Sequence, residues 1–221
     1  MKTKAKINHQ TPPFGKQMLA DAVCRPILFS TPMVEAILNG KKTQTRRVFK
    51  VNKTAITNPK ENVFWDVEMS EAVYNSLGGQ SWWNCPYGNI GDVLWVRETW
   101  QETTWLHPSN DEYGYIYKAS ENGREWAAND ESWTWKPSLF MPKSACRLFL
   151  EIADIKVERL QDISGDDIKK EGISYTIDYY PILFELWENL WVKINGQESW
   201  NDNPFVWVIS FKVVECPYGF R

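Results

Sequence analysis

Five cationic side chains (Lys41, Lys42, Arg46, Arg47, Lys50) and two threonines (Thr43, Thr45) fall within GKKTQTRRVFK, residues 40–50, in a chain of 221 residues and net charge −3. That density has two readings: a solvated basic strand edge, or a site for an anionic or hydrogen-bonding ligand. On the second, Thr43, Arg46, Arg47 and, further along, Arg97 are the ligand-binding candidates. Arg46 can equally be a plain surface charge. Arg97 shares a strand face with Trp95, so cation–π packing or a buried ion pair competes with ligand contact there.

Only two histidines, His9 and His107, are present, the first in the N-terminal tail and the second in the loop-like stretch LHPSNDEYG. A Ser-His-Asp or Cys-His nucleophile is therefore disfavoured, and acid–base work falls to Lys, Glu, Asp or Tyr. Four cysteines stand far apart with no CxxC pair, which predicts free thiols and no zinc site. No metal and no cofactor are expected. Thirteen tryptophans remain. Trp95, Trp187, Trp191 and Trp207 fall on apolar stripes and read as core. Trp82, Trp83, Trp105, Trp126, Trp133 and Trp135 lie in irregular segments, where they either seal insertions or stack on bases.

These residues need elements to hold them. RPILFS (25–30) reads as a strand, and Pro32 to Leu38 as a short helix that Gly40 ends as a left-handed C′ residue. The basic run thus starts where a helix stops and a strand begins. GDVLWVRETW (91–100) alternates as a strand. CRLFLEIADIKVERL (146–160) is a long strand whose apolar parity slips, which predicts a bulge near Ala153–Asp154. SGDDIKKEGI is a short helix with Ser164 as N-cap, Asp167 in the capping-box position and Gly172 as C′. PILFELWENLWVKING is a second helix with an apolar stripe from Leu183 to Ile194, and FVWVISFKVV a central strand.

The expected organisation is an N-terminal arm (1–24) and a single domain (25–221) interrupted by irregular insertions at about 51–88 and 101–144. The fold class is α+β, a small mixed β-barrel with inserted helices. Hydrophobic residues at 43% and charged ones at 24% are ordinary globular composition. No apolar run approaches a membrane span, and the basic N-terminus lacks an apolar core, so a cytoplasmic protein is expected.

The order of motifs carries a resemblance: a strand, a helix ending GKKTQTRR, then GDVLWVRET, then a long strand into LQDISGDDIKKEGI, then FVWVISF. It resembles the ASCH family of the PUA-like β-barrel superfamily, closest to longer members of phages and prophages, over about 25–50, 88–100, 140–175 and 200–214. The resemblance implies an amidohydrolase that removes an acyl group from the exocyclic amine of cytidine. Carried over, the catalytic residues are Lys42 and Thr45 from the basic run and Glu171 from the short helix. A threonine hydroxyl needs a base, and a lysine serves only if burial or cationic neighbours bring its pKa down from about 10.4 toward neutrality. Glu171, in a last helical turn where the macrodipole disfavours a carboxylate, would hold the lysine or protonate a leaving amine. The alternatives are a non-catalytic RNA- or nucleotide-binding module and a ribonuclease, and the expected partner is a nucleoside, nucleotide or short RNA.

Overall fold

The computed structural model describes residues 22–49, 63–66, 71–76, 79–103, 114–129, 133–173 and 179–220. The expected arm, up to residue 21, lies outside them, as do His9, His107 and Trp105. Of Trp82, Trp83 and Trp126 only the backbone is described.

A five-stranded mixed sheet organises the molecule. Its strands are β1 (Cys24–Leu28), β2 (Gln44–Val48), β6 (Val93–Arg97), β9 (Phe149–Arg159) and β10 (Phe205–Val214), in the order β1-β6-β9-β10-β2. Only β1 and β6 run parallel. The fold is therefore α+β as expected, but among the described residues the sheet does not close on itself, and β1 and β2 are its edges. One side chain nevertheless spans those edges: Arg47 on β2 donates through Nη2 to the Leu28 carbonyl on β1 at 2.9 Å.

The expected bulge is there. Ser210 pairs with Asp154 and Phe211 with Ile152, so Ala153 has no partner and the strand's apolar phase flips across it. This lets β9 bury Leu150 and Ile152 and then Ile155 in the same core, although the two sets differ in parity.

The two expected irregular insertions hold regular structure. The first contains an antiparallel meander of β3 (Val63–Asp66), β4 (Glu71–Ser76) and β5 (Gly79–Asn84). The second contains the hairpin pair β7 (Trp100–Thr103) and β8 (Gly114–Tyr117), followed by α2 (Glu121–Asn129). Strands of four to six residues mixing polar and aromatic side chains show too little alternation to stand out in sequence. Trp133 and Trp135 pack edge to face, with centroids 5.6 Å apart.

Helices cover the sheet. On one side α1 (Thr31–Leu38) buries Val34 and Ile37 against Phe29, Ile209 and Phe211. On the other, α3 (Gly165–Lys170), α4 (Tyr180–Asn195) and α5 (Gln197–Asn201) cover Val206 and Val208, with Ile168, Leu183, Trp187 and Trp191 buried between them. No helix of the described residues is long and apolar enough to cross a membrane.

Candidate functional site

The helix α1 ends in a Schellman motif. The N–H of Gly40 bonds to the Ile37 carbonyl at 2.9 Å and that of Lys41 to the Ala36 carbonyl at 2.8 Å, with Gly40 at φ +68°. Because strand geometry starts only at Gln44, Lys42 precedes the regular alternation. Its side chain lies near the Phe29 ring, at 5.9 Å from the centroid, on the side of the sheet where Thr45 and Arg47 sit beside Ile209 and Trp207. Thr45 pairs with Ile209 in the sheet, whereas Lys42, three residues earlier in the turn, reaches Glu171, which Arg46 also binds. Thr43, whose side chain is exposed, contributes its backbone instead: its N–H bonds Lys170 O and its carbonyl accepts from Phe211 N–H.

Across from Lys42, α3 is set by its caps. The Ser164 hydroxyl accepts from Asp167 N–H at 3.2 Å, and the helix stops at Glu171 because Gly172 turns left-handed, φ +91°. A Cβ on Gly172 would stand 3.0 Å from Ala36 Cβ and 3.1 Å from Lys42 Cβ. The bare glycine allows α3 to approach so closely that Glu171 and Lys42 form an isolated β-bridge.

The result is a buried ionic cluster at the edge strand. Lys42 Nζ donates to Glu171 Oε2 at 2.6 Å and to the Glu171 carbonyl at 3.0 Å, with the lysine side chain fully buried. The other carboxylate oxygen, Glu171 Oε1, accepts from Arg46 Nη1 at 3.0 Å. Burial is the largest influence on Lys42 and pulls its pKa below the ordinary 10.5, while Glu171 pushes the other way and Arg47 and Arg46 add to the lowering.

Arg46 is buried, not the surface charge its sequence context allows. Every one of its five N–H groups has an acceptor: Nε and Nη2 share Glu158 Oε1, Nη1 serves Gln44 Oε1 and Glu171, and Nη2 also reaches Asp167 Oδ2 at 3.4 Å. Asp167 in turn is bonded by Lys156 at 3.0 Å and Lys170 at 2.9 Å. Burial alone would raise the Asp167 pKa, yet these bonds and the nearby positive charges hold it at about 2. Arg47 lies 5.1 Å from the Phe29 centroid and hydrogen-bonds the Tyr87 hydroxyl. Burial disfavours its charge, with Tyr87 and Glu171 offsetting that.

The cluster Lys42, Arg46, Arg47, Lys156 and Lys170 faces the carboxylates Glu158, Asp167 and Glu171, so two positive charges are in excess. A cavity of about 60 Å³ opens beside it over the edge of β2, walled by Thr45, Arg46, Arg47 and Glu171 on one side and by Trp187 and Trp191 of α4 on the other. Thr45 is itself 1% exposed. Lys42 stands behind this wall and meets the cavity through Glu171.

Arg97 lies elsewhere. Its guanidinium donates to the Met141 and Leu139 carbonyls and sits 5.5 Å from the Trp95 centroid, so it ties β6 to the segment after α2 and does not line the cavity. Buried Cys85 and half-buried Cys146 have thiols pushed up to about 11 by burial, which makes them poor nucleophiles at neutral pH. No metal-holding group of His, Cys, Asp or Glu occurs among the described residues.

Sequence reasoning missed Glu158, Asp167 as an acceptor, Tyr87 and the aromatic wall of α4. Glu158 is 112 positions from Arg46 and meets it only because β2 and β9 both pair with β10 in a particular register. Trp187 and Trp191 were legible as an apolar stripe, and that pattern is the same whether the stripe borders core or cavity. No family model, curated protein or solved structure matches the chain.

Proposed function

We propose that the chain is a hydrolase of the ASCH type, built on a PUA-like barrel, that removes an acyl group from the exocyclic amine of cytidine or a related nucleoside. The observation that carries the reading is that Thr45, Arg47 and Glu171, the last paired with Lys42, line one cavity whose opposite wall is indole. A flat base edge and a short acyl group suit that space, with the sugar left outside. The barrel is supported by the Arg47 bridge between the edge strands.

The steps follow from the groups present. With Lys42 in its neutral form, the Glu171–Lys42 pair takes the Thr45 hydroxyl proton as Oγ attacks the acyl carbon. Arg47 and the excess positive charge stabilise the oxyanion that forms. The tetrahedral species collapses, the C–N bond breaks, and the pair returns the proton to the leaving amine. Water, deprotonated by the same pair, attacks the Thr45 ester, and the acid is released with the hydroxyl restored.

A second reading, recognition without cutting, is favoured by one distance. At 2.6 Å from the Glu171 carboxylate, a Lys42 that stays protonated is no base, and the cluster then serves as a polar wall for a nucleoside, nucleotide or short RNA. Incubating purified protein with N4-acylated cytidines separates the two: the hydrolase releases cytidine and the carboxylic acid, whereas the binder gives calorimetric heat without turnover.

A further inference from the structure

Two arginines at the rim of the five-stranded sheet are held by neutral oxygens and form no ion pair among the described residues. Arg47 donates to the Arg46 and Leu28 carbonyls and bonds the Tyr87 hydroxyl. Arg97 donates to the Met141 and Leu139 carbonyls. A carbonyl orients a guanidinium without cancelling its charge, and with five N–H groups each, neither arginine is saturated by these partners. Both heads can be reached from outside, because the Arg47–Leu28 and Arg97–Leu139 bonds are exposed to solvent.

The two heads belong to one surface. Arg47 lines the cavity and reaches from it to Leu28. Leu28 and Arg97 are register partners on β1 and β6, about 4.8 Å apart across the sheet. Ile27 and Phe29 turn into the core, so Leu28 points the other way, to the face that carries Arg97, and is 43% exposed. The two acceptors of Arg97 bracket Phe140, which stands 68% exposed on a single 3-10 turn, Ser138–Phe140, beside Leu139 at 56%. Met141, 1% exposed, anchors that turn from below. From the cavity outward the surface therefore offers two cations and then an aromatic ring with an open face.

That sequence of groups suits a phosphate followed by a base. Guanidiniums fork onto phosphate oxygens, and an exposed ring stacks on an unpaired base. An acidic peptide would use the cations and leave Phe140 without a partner. We propose that this surface binds the nucleotide next to the one in the cavity, Arg47 and Arg97 taking the phosphodiester and Phe140 the neighbouring base, so that the ligand is a short single-stranded oligonucleotide rather than a free nucleoside. The inference rests on the reading of the cavity as a nucleoside site with the sugar outside.

The test titrates the full chain in a calorimeter with cytidine, a cytidylate dinucleotide and trinucleotide, a long oligocytidylate and a glutamate-rich peptide, and follows hydrolysis of free N4-acetylcytidine alongside. The short oligonucleotides should bind about 10-fold or more tighter than cytidine, with little further gain in the long strand. Phe140→Ala, at an exposed position, should weaken trinucleotide binding by about 5-fold or more, the worth of one stacked base, and leave hydrolysis of the free nucleoside unchanged. Arg97→Gln should reduce the salt slope of trinucleotide binding by about 0.7, one phosphate contact on a single strand; an unchanged slope overturns the phosphate assignment. If no acylated cytidine is cleaved while trinucleotide binding depends on Phe140, the surface stands and the hydrolase reading falls. If N4-acetylcytidine is cleaved but the trinucleotide binds no tighter than cytidine, or Phe140→Ala binds it as wild type does, the surface is overturned and the activity stands. A glutamate-rich peptide that binds tighter than the trinucleotide also overturns the inference, in favour of a protein partner.

Discussion

The Lys42 ammonium is fully buried, and Glu171 is both its closest partner and the group that opposes its loss of a proton. As a base, Lys42 acts only when unprotonated, so turnover should rise with pH along a limb whose midpoint lies below the ordinary 10.5. Glu171→Gln removes the attraction that raises the Lys42 pKa. Its residual activity, though slower, should therefore show that limb at lower pH; a pH–rate profile with the limb unmoved or shifted upward contradicts the assignment. Lys42→Ala should cut kcat by about 10²- to 10⁴-fold, the usual contribution of a general base, as single-turnover kinetics would show. Asp167 contributes in another way. Its pKa is depressed from 3.8 to about 2, so its stabilisation is complete above about pH 4 and is lost as pH falls toward 2. That amounts to on the order of 2 kcal/mol. Acid unfolding followed by circular dichroism should accordingly show Asp167→Asn losing less stability over that window than wild type.

At the scale of elements, the site depends on how tightly α3 docks beside the turn after α1. Gly172→Ala introduces both a strained φ of +91° and a Cβ at 3.0–3.1 Å from Ala36 and Lys42. It should cost about 1–3 kcal/mol and misplace Glu171, measured as a lowered midpoint in urea and a matching loss of nucleoside binding. Ser164→Ala removes only the cap on Asp167 N–H and should cost about 1 kcal/mol, leaving the cavity unchanged. These ends were readable in the sequence because caps are local: Ser164 and Gly172 around α3, and Gly40 after α1, announce themselves within a few residues. The bulge at Ala153 was readable for the same reason, as a parity slip inside one strand. The meander from Val63 to Asn84 was not, since its pairing is decided between strands and none of them carries enough apolar alternation. The ionic cluster was half legible. Lys42, Arg46 and Glu171 came from types and motif order, whereas Glu158 and Lys156 joined them through the β2–β10–β9 register, which no short window encodes.

For the whole molecule the contrast is between a net charge of −3 and a local excess of two positive charges at the edge of β2. Long RNA gains affinity by releasing counterions along many phosphates, and an acidic protein with one small basic focus offers few such contacts. Binding of a long single-stranded RNA should thus be weak at about 0.15 M salt and gain little with length; filter binding that tightens steadily with length would favour the recognition module. In the proposed reading the cavity between the indole wall and the sheet edge takes one base, and the chemistry assigned to it stands or falls on a single hydroxyl. The most direct measurement is hydrolysis of N4-acetylcytidine by purified wild type, Thr45→Ser and Thr45→Ala, followed as release of cytidine and acetate. The account predicts multiple turnovers by wild type, reduced but measurable turnover by Thr45→Ser, and a fall of about 100-fold or more in Thr45→Ala with binding nearly unchanged. Thr45→Ala working as fast as wild type, or no acylated cytidine being cleaved at all, would contradict it.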